Sequence, residues 1–91
     1  MLISPDEVQK SISLYNWQYN NNKIYKSYSF KTYIEGVDFI NQIVKVAERN
    51  NHHPDIFLTW CKVEISITSH DLGGVTTKCI NLATSIENII N

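Results

Sequence analysis

A helical run that ends in a proline sets the plan of this chain. Tyr33, Val37, Ile40, Val44 and Ala47 recur at helical spacing, broadened by Ile43 and flanked by Phe39 and Val46. Pro54 bounds the run, because the residue before a proline is pushed out of the α region. The helix therefore cannot outlast His53. Glu48 and His52, four apart, are expected to share a face of its last turn, with His53 leaving on a different vector. On both sides of this helix the period changes to two.

Before it, Ser4-Pro5-Asp6-Glu7 reads as a helix start, with Ser4 as cap, Pro5 at the first helical position and Glu7 placed for a capping box. Ile3 and Val8 stand at hydrophobic-staple positions, and the helix is expected to run to about Leu14. Asn20-Asn21-Asn22 offers turn chemistry between Tyr15–Asn20 and Lys23–Phe30, which predicts a β-hairpin. After the central helix, Phe57–Cys61 and Val63–Ser69 read as two paired strands, the second with Val63, Ile65 and Ile67 inward. A last helix is expected from about Thr76, with Cys79, Leu82, Ala83, Ile86 and Ile90 on one stripe.

The order is thus α-β-β-α-β-β-α. Two hairpins with helices between and outside them predict an α+β fold in two layers, a four-stranded, mainly antiparallel sheet covered on one face by helices. Such a sheet leaves two edges and one face open, so pairing with further copies, as a dimer or tetramer, is an expected way to hide them. At 91 residues and 43% apolar content, residues 1–91 suit one domain.

The net charge of -1 and a single loose basic cluster, Lys23, Lys26 and Lys31, argue against direct nucleic-acid binding. Cys61 and Cys79 lie in ordinary apolar patterns, and no charged lead precedes a long apolar run. Arg49 is the only arginine, which does not suit a mitochondrial presequence. A reduced, cytoplasmic protein without a membrane span is expected.

All three histidines fall near the two turns that flank the second hairpin. His52 and His53 precede Pro54, and His70 follows the strand that returns toward them. Imidazole titrates near neutrality, so such a group can hold protonated and neutral members together, as a reaction needing both an acid and a base requires. His52, in the last turn of a helix and four residues from Glu48, is assigned to the acid side, since the helix dipole and the carboxylate would both favour its cation. The plain alternative is a helix-ending loop and a turn residue, as short motifs carry little information alone. Zinc is a further alternative, weakened because adjacent histidines seldom point at one metal and neither cysteine has ligand spacing to them. No Ser or Cys is tied by motif to a base, which disfavours covalent catalysis.

In combination these residues resemble a known family, the pterin-4a-carbinolamine dehydratases, also called dimerization cofactors of homeodomain proteins. The resemblance rests on Glu48, His52-His53-Pro54, Trp60, His70, Gly73-Gly74, Thr76 and Leu82-Ala83, and extends upstream through Trp17 and the Phe30 region. It implies dehydration of 4a-hydroxytetrahydropterin to quinonoid dihydropterin and water, as in tetrahydrobiopterin recycling, with no metal or redox cofactor. His52, His53 and His70 would then be catalytic, and Glu48, Pro54, Trp60, Thr68 and Ser69 would bind the pterin. It also implies two alternatives: a coactivator-type module that binds a partner protein, or pterin handling in another pathway such as molybdenum cofactor metabolism.

One position departs from the family pattern. Where the family usually carries Asp, three residues after the Thr of Gly-Gly-x-Thr, this chain has Cys79. With Thr76 as N-cap the position is N3, where an acid completes a capping box. Cys79 is expected to serve there chiefly as a small buried hydrophobe. The alternative is that the family Asp orients a histidine or the pterin.

Overall fold

The computed structural model describes residues 2–13 and 15–90. Its elements are α1 (Pro5–Ser13), β1 (Gln18–Asn20), β2 (Lys23–Ser29), α2 (Tyr33–Asn50), β3 (Asp55–Thr59), β4 (Lys62–Ile67) and α3 (Thr77–Ile90). Leu14, the expected end of the first helix, lies outside the described residues. The four strands form one sheet in the order β1-β2-β4-β3, and every neighbouring pair is antiparallel. The α+β expectation holds in order and in topology.

Local chemistry accounts for the ends. Ser4 Oγ accepts from the Glu7 N–H at 3.3 Å, and Val8 behind it is fully buried. Asn21 and Asn22 both take left-handed φ, 51° and 63°, the pair of positive angles that a two-residue hairpin turn needs. Thr32 caps α2 with a complete capping box, its side chain accepting from the Glu35 N–H and Glu35 accepting from the Thr32 N–H. β3 begins two residues earlier than expected, directly after Pro54, because Trp60 and Cys61 make the turn into β4.

One parity of the sheet is buried and the other open. Ile24 and Tyr28 on β2, with Val63, Ile65 and Ile67 on β4, meet the helices, whereas Phe57 and Ser27 face away. Val8, Phe39, Ile43, Leu82 and Ile86 complete a core between sheet and helices.

Two expectations about the helix faces are corrected. α2 buries Gly36, Phe39, Ile43, Val46 and Ala47, while Tyr33 and Val44, expected on the core stripe, are half exposed. Gly36 explains the rotation: a Cβ there would stand 3.2 Å from Leu58 Cδ1 and 3.4 Å from Val63 Cγ2, so the helix approaches the sheet along the glycine. In α3 the stripe of Cys79, Leu82, Ala83 and Ile86 continues to Glu87, and Ile90 is exposed. The Glu87 carboxylate replaces an apolar side chain because three donors converge on it. Trp17 Nε1–H at 3.2 Å, the Lys26 ammonium and the Tyr28 hydroxyl all donate to its Oε1.

Candidate active site

The end of α2 and the start of α3 meet beside the end of β4, and the histidines gather there. Asn51 terminates α2 in the left-handed region, with φ 49° and ψ 41°. Its N–H donates to Glu48 O at 3.2 Å, and the His52 N–H donates to Ala47 O, also at 3.2 Å. These bonds satisfy the last carbonyls of the helix and turn the chain sharply before Pro54 is reached. His52 therefore stands outside the helix.

The histidine–carboxylate pairing differs from the expected one for this reason. With the last turn unwound past Asn50, Glu48 binds His53 and not His52. A carboxylate can only accept, so Nε2 of His53 carries a proton toward it. Both side chains are largely exposed.

His52 is half buried and points its Nε2 at the sulfur of Cys79, 3.3 Å away. Its pKa is pushed below the ordinary histidine value, first by burial and then by the positive charge of Lys78; Asp71 opposes the shift, and His53 and His70 add to it. The expected contact of His52 with Glu48, one of the two grounds for placing this ring on the acid side, is not made. Burial and the Lys78 charge both act against the cation of this ring, and Glu48 is not beside it to oppose them.

The third side of the site is the segment from Ser69 to Thr76. The Ser69 N–H donates to Gly74 O at 2.9 Å, and the Leu72 and Gly73 N–H groups return to Ser69 O at 3.1 and 2.8 Å. Gly73 takes φ 71°, which a β-carbon would strain. This loop delivers Ser69, itself buried, to Thr76, and the two hydroxyls lie 2.8 Å apart. Cys79 is fully buried under them, its sulfur 3.4 Å from Ser69 Oγ and 3.5 Å from the donating Thr76 N–H.

Asn51, His52, Ser69, Asp71, Leu72, Thr76, Thr77 and Lys78 enclose a hollow of about 350 Å³, within the range of small-molecule sites. Of the three histidines only His52 lines it; His70 is exposed between the lining residues Ser69 and Asp71, and His53 is exposed beside His52. Pro54 is half buried between His53 and β3. Thr68 turns away and donates its hydroxyl to Asn22 O at 2.7 Å. Trp60 is not brought to this end: it is 78% exposed in the turn beyond β3, and five strand residues at about 3.3 Å each place it roughly 17 Å away. A second hollow of about 420 Å³ lies on the open sheet face, among Tyr25, Phe57, Glu64 and Ser66, and holds no histidine. Among the described residues, no three His, Cys, Asp or Glu side chains are grouped to hold a metal ion.

Asp71 and Lys78 were missed as site residues; the contact of Cys79 with His52 falls at the position whose family Asp was given, as the alternative reading, the orienting of a histidine or the pterin. A signal existed for Lys78, a cation in the first turn of a helix, where the dipole disfavours it. Nothing in the spacing of Cys79 and His52 points to their contact, which is made by folding across 27 residues.

Comparison with known proteins bears on the family and the fold. The sequence model of the family described as Pterin 4 alpha carbinolamine dehydratase matches residues 1–89. A protein of Picosynechococcus sp., provisionally named a pterin-4-alpha-carbinolamine dehydratase, is 38% identical over 88 residues, covering 96% of each chain. One of the same provisional name from Sulfolobus acidocaldarius is 33% identical over 90 residues, covering 98% of this chain and 99% of its own. Among solved structures, a protein of Brucella melitensis described as a transcriptional coactivator/pterin dehydratase superposes with a TM-score of 0.93 over the whole of both chains, at 24% identity. A pterin dehydratase-like protein described as a RuBisCO assembly factor of the alpha-carboxysome superposes with a TM-score of 0.66 over 81% of this chain and 86% of its own, at 17% identity. At those identities the two structures speak to the fold alone.

Proposed function

The chain belongs to the pterin 4 alpha carbinolamine dehydratase family, and from that premise we propose that it dehydrates a 4a-hydroxytetrahydropterin by histidine acid–base catalysis. The observation that carries the proposal is that His52 lines a hollow of about 350 Å³ together with Ser69, Asp71, Thr76 and Lys78, with His53 and His70 next to lining residues in the chain.

The reaction removes the C4a hydroxyl as water and the proton from N5, leaving a C4a–N5 double bond. It needs one group to protonate the departing hydroxyl and another to take the N5 proton. His52 suits the base, since its surroundings favour the unprotonated ring. His53, held by Glu48, and His70, exposed between Ser69 and Asp71, remain for the acid step and for orientation. Asp71 and Lys78 offer an acceptor and a donor to the amide-like edge of the pterin ring, and Ser69 closes the floor. Pro54 shapes the wall by fixing the exit of the chain.

The test is acceleration of carbinolamine dehydration by the purified protein, followed by ultraviolet absorbance. Equal rates with and without protein would reject the proposal.

A second reading, protein association, is favoured by one observation. Tyr33, Ile34 and Val44 leave an apolar face of α2 exposed, at 50, 70 and 50%. We propose that this face mediates association with copies of the chain or with a partner protein. Sedimentation that finds only a monomer, with no partner recovered in a pull-down, would remove it.

A further inference from the structure

Cys79 stands at the third residue of α3 counted from Thr77, with Thr76 before the helix as its cap. A capping box places an acceptor at that position, to receive the N–H of the cap residue. Here the sulfur occupies it: the Thr76 N–H, which can only donate, points at Cys79 Sγ from 3.5 Å. One lone pair of the sulfur is thereby committed as an acceptor. The closest polar atom to the same sulfur is Nε2 of His52, at 3.3 Å.

The hydroxyls around it can receive the thiol's own proton. Ser69 Oγ lies 3.4 Å and Thr76 Oγ1 3.6 Å from Sγ, and these two hydroxyls are themselves 2.8 Å apart. A consistent arrangement has the S–H directed to this pair and the sulfur receiving from both N–H groups. Cys79 itself is fully buried, so its partners are these protein groups.

We propose that Cys79 is the positioning residue of His52: its sulfur accepts the Nε2 proton, fixes the ring in the Nε2–H tautomer and leaves Nδ1 as the basic nitrogen. The inference rests on the dehydratase reading for its catalytic meaning, though the contact itself is independent of any activity. A tautomer is set by the bond that the other ring nitrogen makes, and here that bond goes to a sulfur atom. A thiol gives the imidazolium no countercharge, whereas a carboxylate at the same place would. The choice of Cys over an acid therefore keeps the base uncharged to lower pH. The other charged groups that bear on the ring are Lys78, Asp71, His53 and His70, so a change at Cys79 acts against a fixed background.

The experiment is nitrogen NMR of the imidazoles in the full chain, titrated between pH 4 and 9, with dehydration rates measured in parallel. In the parent protein, His52 is expected to show a protonated Nε2, slow to exchange with water, and an unprotonated Nδ1. Cys79→Ser keeps an acceptor and is expected to keep that tautomer, while Cys79→Ala is expected to lose the protection from exchange. Cys79→Asp is expected to raise the His52 midpoint by at least about one pH unit, the usual effect of an adjacent opposite charge. If the enzyme reading holds, the acid limb of the rate profile moves up by the same amount. A parent His52 protonated at Nδ1, or a midpoint unmoved in folded Cys79→Asp, overturns the proposal. Because the tautomer is read in the parent, the result stands even if Cys79→Asp does not fold. Inactivity with the expected NMR result rejects the dehydratase reading and leaves the positioning role intact.

Discussion

Glu48 holds the ring of His53, five residues on, and leaves His52, four residues on, with no bonded carboxylate among the described residues. The cause is the left-handed Asn51, which ends α2 before His52 and rotates both rings relative to the helix. The consequence is a difference between adjacent histidines, one paired with a carboxylate and exposed, the other half buried against Cys79 with its pKa pushed down by burial and Lys78.

Glu48→Gln and His53→Ala are therefore expected to affect rate and not stability. The pair is largely exposed, and exposed ion pairs contribute within about 0–1 kcal/mol. Acid–base groups, by contrast, contribute roughly 10²–10⁴-fold to a rate. His53→Ala should lower the dehydration rate at least about tenfold, with Glu48→Gln less severe, while both urea midpoints stay near the parent's. An unfolding midpoint that falls in step with the rate would show that the pair is structural.

The depressed pKa of His52 links to stability with a definite sign. Its folded value lies below its unfolded value, so the unfolded chain binds more protons between the two. The stabilisation is present above pH about 6.5, the unfolded histidine value, and is lost as pH falls through the folded one. Replacing His52 with Gln should flatten the stability curve in that window. Dehydration should rise with pH over the same interval and level off near neutrality. A parent whose stability is flat from pH 7 to 5, or a slope retained in His52→Gln, would contradict the assignment.

The order of elements was legible because each depends on local chemistry. The capping signals at Ser4, the Asn pair of the first hairpin and the alternation Val63, Ile65, Ile67 act over a few residues and need no tertiary information. What could not be read were choices made by contact. α2 carries apolar residues over more than one face, and only the approach of Gly36 to Leu58 decides that Tyr33 and Val44 face out. Trp60 matched a pattern but lies in the far turn of its hairpin. The exposed paired His53 and the shielded His52 are adjacent in sequence, and what separates them is the left-handed backbone at Asn51, which no side-chain pattern announces.

That angle gives a third prediction. A residue with a β-carbon pays roughly 1–2 kcal/mol to enter the left-handed region unless, like Asn, it can form local hydrogen bonds there. Asn51→Ala should lower unfolding stability by about 1 kcal/mol, and Asn51→Gly should match the parent or exceed it. Both are measured by urea denaturation. The His52 nitrogen resonances should shift in Asn51→Ala and hold in Asn51→Gly, since the cap sets where the ring begins. Equal stability of the two variants would show that the cap conformation is not under strain.

The last prediction concerns the far end of α3, where Glu87 anchors the helix to β2 through Lys26 and Tyr28 and to Trp17 just ahead of β1. Removing one partner of a buried charge cluster leaves the others unpaired, at a cost of about 3–5 kcal/mol. Glu87→Ala should therefore be among the most destabilising single changes in the chain, and with about 4–8 °C per kcal/mol in a domain of this size it should lower the melting temperature by more than 10 °C. Glu87→Gln keeps an acceptor oxygen for Trp17 and Tyr28 and loses only the countercharge of Lys26, so its cost should be smaller. The same cluster has an alkaline signature. Burial, and then the bond to Glu87, hold the Tyr28 phenol far above the ordinary tyrosine value. With the folded pKa raised, the stabilisation is complete below pH about 10, the unfolded value, and declines as pH rises above it, by at most about 1.4 kcal/mol per pH unit. Tyr28→Phe removes the titrating group and should lose part of that decline, read as the difference between the two proteins' denaturation curves from pH 9 to 11. Parallel curves across that interval would show that Tyr28 ionises as readily folded as unfolded, and that the carboxylate of Glu87 does not govern it.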